Sequence, residues 1–171
     1  MNHSRSKTLI LGIGNYLMGD EGVGVHTALQ LQEMDLPNYV EVVDGGTGGF
    51  HLLEYFENHE HVILIDATLG GERPGQIRLI KPRFAKDFPR AMSTHDIGLK
   101  DMVSALQWME KMPDIRLFVV SIESIQQQGI EMTPDVKAVI PDLMHRVLQL
   151  AHEIEKEKIS ETKFLETVLV V

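Results

Sequence analysis

The apolar positions of this chain fall into two alternating kinds of segment. Short runs at residues 8–13, 40–43, 62–65, 76–80 and 117–121, most of them β-branched and continuously apolar as strands covered on both faces should be, read as strands. Longer amphipathic stretches between and after them predict helices over residues 21–34, 50–57, 99–111 and 135–158. Thr133 stands where an N-cap belongs, and Pro134 suits the first helical position, where its missing N–H costs nothing. Pro141 is expected to kink this last helix or divide it in two. Residues 160–171 turn from polar to apolar and read as a flexible or docked tail.

Such alternation predicts an α/β domain, three-layer α/β/α, around a mainly parallel sheet. The connection between residues 66 and 76 is too short for a crossover helix, so the fourth strand should run antiparallel to the third. No repeat, low-complexity tract or linker marks a boundary, and residues 1–171 read as one domain with its own core. Ligands of folds of this kind sit outside the carboxyl ends of the parallel strands.

Composition narrows the chemistry. The chain has no cysteine, which excludes disulfides, a thiol nucleophile and thiolate metal sites; any metal must be held by His, Asp or Glu. A net charge of -9 without a basic cluster speaks against nucleic acid and leaves metal cations or a basic protein as partners. No stretch approaches the roughly 18 apolar residues that span a bilayer, and the first residues lack a secretory apolar region. A cytoplasmic protein without a membrane partner is the expectation.

Three strand ends and one loop carry the candidate chemistry. The first strand runs into "LGIGNYLMGDEGVG", whose glycines suggest a nucleotide loop. Leu17 occupies the place of the third dinucleotide glycine, and Asp20 stands where a phosphate loop has its lysine. Two carboxylates at a helix mouth would also repel a phosphate. An adenosyl-cofactor enzyme, such as a methyltransferase, is disfavoured by the same glycine spacing. Asp20 reads mainly as a helix N-cap, with Glu21 in the first turn. The second strand ends in "VVDGGTGGFHLLEYF", where Asp44 either bonds locally to the backbone or, with Gly45, Gly46 and Thr47, contacts substrate.

The third strand drives Val62-Ile63-Leu64-Ile65 directly into Asp66, a carboxylate that must be partly buried and therefore needs a partner. The loop "MSTHDIGLKDMV" presents His95 before a helix. The other histidines, among them His26, His51, His59, His61, His145 and His152, read as solvated. Neighbouring strand ends would bring Glu21, Asp66 and His95 together. Two carboxylates and an imidazole suit a borderline divalent metal such as zinc or nickel. They equally suit an acid/base pair of carboxylates.

The segments "GIGNYLMGDEGVG", "VVDGGTGG..LLEYF", "VILIDA" and "STHDIGL" resemble, in order and approximate spacing, those of the hydrogenase maturation endopeptidases. The resemblance covers about residues 9–147. It implies a five-stranded mixed, mostly parallel sheet of the phosphorylase/hydrolase-like type, with strand five between strands three and four. It also implies a peptidase, of aspartic-type or metal-assisted mechanism, that removes the C-terminal peptide of a nickel-iron hydrogenase large-subunit precursor. Glu21, Asp66 and His95 would be the metal triad, with Glu21, Asp66 or a metal-polarised water serving in hydrolysis. The nickel would come with the substrate rather than reside in the protease, and its presence would be sensed before cutting. Asp44 and the 45–49 loop would shape the peptide groove, while Asn15, Asp20 and Asp96 would stand behind the triad. A non-catalytic nickel checkpoint that only binds the large subunit is the competing expectation. Peptidyl-tRNA hydrolases share "GLGN"-type glycines, but this chain lacks their following proline and is acidic.

Overall fold

The computed structural model describes residues 7–83, 85–88, 96–110, 112–126 and 128–169. Its sheet consists of β1 (Thr8–Gly12), β2 (Val40–Asp44), β3 (His61–Thr68), β4 (Ile77–Ile80) and β5 (Asp114–Ser121), in the order β2-β1-β3-β5-β4. All pairings are parallel except that of β4 with β5. Strand β4 therefore runs against β3, as its short connection requires, but β5 lies between them. The four α-helices of the described residues are α1 (Val23–Gln32), α2 (Leu53–Asn58), α3 (Asp96–Trp108) and α4 (Pro134–Leu169).

Side-chain alternation along the inner strands divides the core in two. Ile10, Ile63, Ile65 and Val120 pack with Val23 and Leu31 of α1 and with Val136, Ile140 and Val147 of α4. Their neighbours Leu9, Leu11, Val62, Leu64 and Leu117 pack on the other side with Phe56 of α2 and Met102 and Leu106 of α3. Both faces of β1 and β3 are thus covered, which is why these strands are apolar throughout rather than alternating. Asp66 has the parity of Val62 and Leu64 and so belongs to the side that α3 covers.

Two expectations for the last helix change. Helix α4 continues through Pro141 as one element. Pro141 forfeits a backbone bond, at a cost of about 3 kcal/mol, without dividing the helix, and Val136, Ile140, Leu143 and Val147 on both sides of it are all buried in the same core. Residues 160–169 form no strand; the helix extends through Leu169.

Candidate functional site

Strand β1 ends in a tight passage. The Ile13 N–H donates to the Ile65 carbonyl (2.8 Å), tying the loop after β1 to the end of β3. A Cβ on Gly24 would collide with the carbonyl oxygens of Ile65 and Ile13, so only glycine lets α1 sit this close to the sheet. The chain between them forms a 3-10 turn, Gly19–Gly22, packed against β3. Glu21 is therefore not in the first turn of α1, as the sequence suggests, but in this preceding turn. Its residue is 2 % exposed and Asp66 is 1 % exposed.

Asp66 lies on β3 just beyond the β1 register, which ends at Gly12 and Ile65. Its Oδ1 accepts the N–H of Ala67 at 2.7 Å. Helix α3, on the same side of the sheet, begins at Asp96. His95, the expected third member, lies outside the described residues. Among the described residues no three His, Asp or Glu side chains converge as a metal cluster.

Asp20 is a correction. It caps neither the 3-10 turn nor α1, both of which begin without a side-chain cap. Its Oδ1 instead accepts the Thr133 N–H (2.7 Å) and its Oδ2 the Thr133 hydroxyl (2.8 Å). The Asp20 N–H donates to Gln126 Oε1 at 2.8 Å. Backbone bonds Gly19 N–H to Gly129 O and Gly129 N–H to Leu17 O, both 2.7 Å, close a bridge between the two loops. Thr133 holds the N-cap position expected of it, since its carbonyl accepts the Lys137 N–H at 2.9 Å. The reach of Asp20 across 113 residues left no local signal in the sequence.

The remaining candidates are local. Asp44 Oδ1 accepts the Gly46 N–H (2.8 Å), a turn bond, and its side chain is exposed, as is Thr47. The Gly45 N–H donates to Gly12 O and the Gly14 N–H to Gly46 O, both 2.8 Å, which stitches the 45–49 loop to the chain leading to Glu21. Asn15 Oδ1 accepts the Leu17 N–H at 3.0 Å, a turn role.

Three histidines are not solvated as expected. The His26 ring stacks on Tyr16 with centroids 4.3 Å apart, and burial holds its pKa below the usual value, against a hydrogen bond from the ring to the Tyr16 backbone carbonyl and the charge of Glu131. His59 lies between the Tyr55 carbonyl (2.7 Å) and Glu41 (3.3 Å). His61 is lowered by burial and by Lys158 and Arg116, which outweigh Asp114 and Glu60. Burial pushes Asp114 up, but its bonds to Arg116 (2.9 Å) and Lys81 (3.0 Å) leave it below the ordinary carboxylate value. His61 and Asp114 open their strands, so this ionic cluster belongs to the amino edge of the sheet, opposite Glu21 and Asp66. A cleft of about 500 Å³ lined by Arg73, Pro74, Asp135 and Val139 is also separate from the two carboxylates.

The family model for hydrogenase maturation protease matches residues 25–150. The Hydrogenase 2 maturation protease of Escherichia coli strain K12 is 35 % identical over 156 residues, covering 90 % of this chain and 95 % of that protein. The hydrogenase expression/formation protein HupD of Rhizobium leguminosarum bv. viciae is 32 % identical, over 79 % of this chain and 69 % of its own length. Among solved structures, the hydrogenase maturating endopeptidase HybD from E. coli superposes with a TM-score of 0.78 at 35 % identity, covering 86 % of this chain and 93 % of that one. The [NiFe] hydrogenase maturation protease HybD from Thermococcus kodakarensis superposes with a TM-score of 0.69 at 26 % identity, over 85 % and 99 % of the two chains.

Proposed function

The chain belongs to the hydrogenase maturation protease family, a family of peptidases, and we propose that it makes a single cut near the C-terminus of a nickel-iron hydrogenase large-subunit precursor in the cytoplasm. The cut follows nickel insertion, and the nickel is part of the substrate. Glu21 and Asp66 bind it on arrival, with His95 as the third ligand, and one of the two carboxylates takes the proton of the attacking water. The observation that carries this reading is the burial of two carboxylates at adjoining elements, one on β3 and one in the turn packed against it. Burial removes them from competing water, so a cation reaching them meets donors whose charge is weakly screened.

The surroundings suit a protein substrate. Tyr16, Leu17, Ile125 and Ile130 are exposed on the two loops joined by the Met18 and Gly129 bridge, beside the turn that holds Glu21. Oxygen and imidazole donors, with no thiolate, would recognise nickel without stripping it from a partner that holds it through sulfur. Incubating the purified protein with a purified nickel-loaded precursor, followed by mass spectrometry, tests the cut. Loss of a C-terminal peptide is expected; a precursor that stays intact while forming a stable complex would replace the protease by a binding checkpoint.

A further inference from the structure

We infer that Asp20 is a positioning residue for this reaction: it fixes the turn that presents Glu21 by clamping it to the N-terminus of α4. The inference rests on the peptidase reading for its functional consequence, though the clamp itself is a matter of geometry. Asp20 is 1 % exposed and both of its carboxylate oxygens are engaged, by the Thr133 N–H at 2.7 Å and the Thr133 hydroxyl at 2.8 Å. The preceding peptide is held as well, through Gln126 Oε1 on the Asp20 N–H and Gly129 O on the Gly19 N–H. Gly19 adopts φ 55°, and a Cβ there would occupy the place of Gln126 Oε1; the turn and the Gln126 bond are thus possible together only with glycine.

A short 3-10 turn has few bonds of its own, so its geometry is set by what surrounds it. The Gly19–Gly22 turn begins and ends without a side-chain cap. Its external anchors include the end of β3 on one side and Gln126, Gly129 and Thr133 on the other. The latter fix Glu21 to the residue that starts the longest helix, and every anchor on that side converges on Gly19 and Asp20. Released from Thr133, the turn would keep its chain connections but lose the fixed placement on which a buried ligand depends.

Asparagine separates geometry from charge. In Asp20→Asn, Oδ1 still accepts the Thr133 N–H, while Nδ2 donates to the Thr133 hydroxyl, which can turn from donor to acceptor. Asp20→Ala removes both bonds. The test measures kcat and KM on nickel-loaded precursor, and amide hydrogen exchange by mass spectrometry, for the wild type, both variants and Glu21→Gln. The inference expects Asp20→Ala to lose kcat by about tenfold or more with KM little changed, and to speed exchange at residues 19–22 while β1 and β3 stay protected. Asp20→Asn should stay within about threefold of the wild type in both readouts. If Asp20→Asn is as impaired as Asp20→Ala, or if exchange in β1 and β3 rises equally, the inference is overturned. If Asp20→Ala does not fold, Thr133→Val, which deletes only the hydroxyl bond, should give the same pattern in weaker form, and wild-type exchange in it would count against the clamp. Should the wild type fail to cut, or Glu21→Gln cut normally, the peptidase assignment of Glu21 fails instead, while the exchange contrast still decides the clamp.

Discussion

Asp66 stands at the end of an apolar strand, 1 % exposed, where a carboxylate is costly unless its charge is answered. The Ala67 N–H answers one oxygen. If its role is to receive substrate nickel or a proton, Asp66→Asn keeps the size and the acceptor for Ala67 but removes the charge. Cleavage should then fall by about 100- to 10,000-fold with the unfolding midpoint nearly unchanged; full activity would remove Asp66 from the mechanism. The histidines give a second prediction at this scale. His26 and His61 both have pKa values lowered below 6.5 by burial, so below that pH the unfolded chain binds protons that the folded chain refuses. Their contribution to stability is complete above 6.5 and is lost as pH falls through the folded values. Denaturant midpoints at about pH 7.5 and about pH 5.5 should therefore drop on acidification, and the drop should shrink in a His26→Gln, His61→Gln double variant.

At the scale of elements, the approach of α1 to the sheet decides where Glu21 stands. Gly24→Ala would drive a methyl into two backbone carbonyls that cannot rotate away. The helix must retreat from β3, at a cost of about 3 kcal/mol, and denaturant unfolding should show it as a lower midpoint at constant slope. Much at this scale was legible in the chain. All five strands were, the inner ones because burial on both faces makes them continuously apolar, and so were the four helices, three of them within a few residues at both ends, while α4 runs eleven residues past its expected end. Asp66 was singled out by a carboxylate ending an apolar run, and Glu21 by its place after the neighbouring strand, with the triad itself implied by the family resemblance. What pattern could not supply was the insertion of β5 between β3 and β4, which came only with the family resemblance, and the true partner of Asp20. An N-cap is the local use of an aspartate before a helix, whereas the Thr133 bond depends on tertiary packing that juxtaposes residues far apart in sequence. Division at Pro141 did not occur for the same reason, since the residues on both sides of it are buried in one core.

The whole molecule is polarised. Ionic pairs of His61, Asp114, Arg116 and Lys81 occupy the amino edge of the sheet, while the carboxyl edge combines buried carboxylates with exposed apolar side chains on two bridged loops. No described helix is long and apolar enough to cross a membrane. The exposed apolar residues of the two loops suit a protein surface, in the proposed reading that of the large-subunit precursor. Leu17→Asp and Ile130→Asp should each raise KM on the order of tenfold, while leaving stability and kcat near wild-type values; an unchanged KM in both would separate this rim from substrate binding. The account as a whole turns on nickel that arrives with the substrate. One large-subunit precursor, prepared with and without nickel and incubated separately with this protein, tests it most directly by the mass of its C-terminus. The nickel-loaded form should be shortened and the nickel-free form left intact; equal cleavage of both would contradict the account.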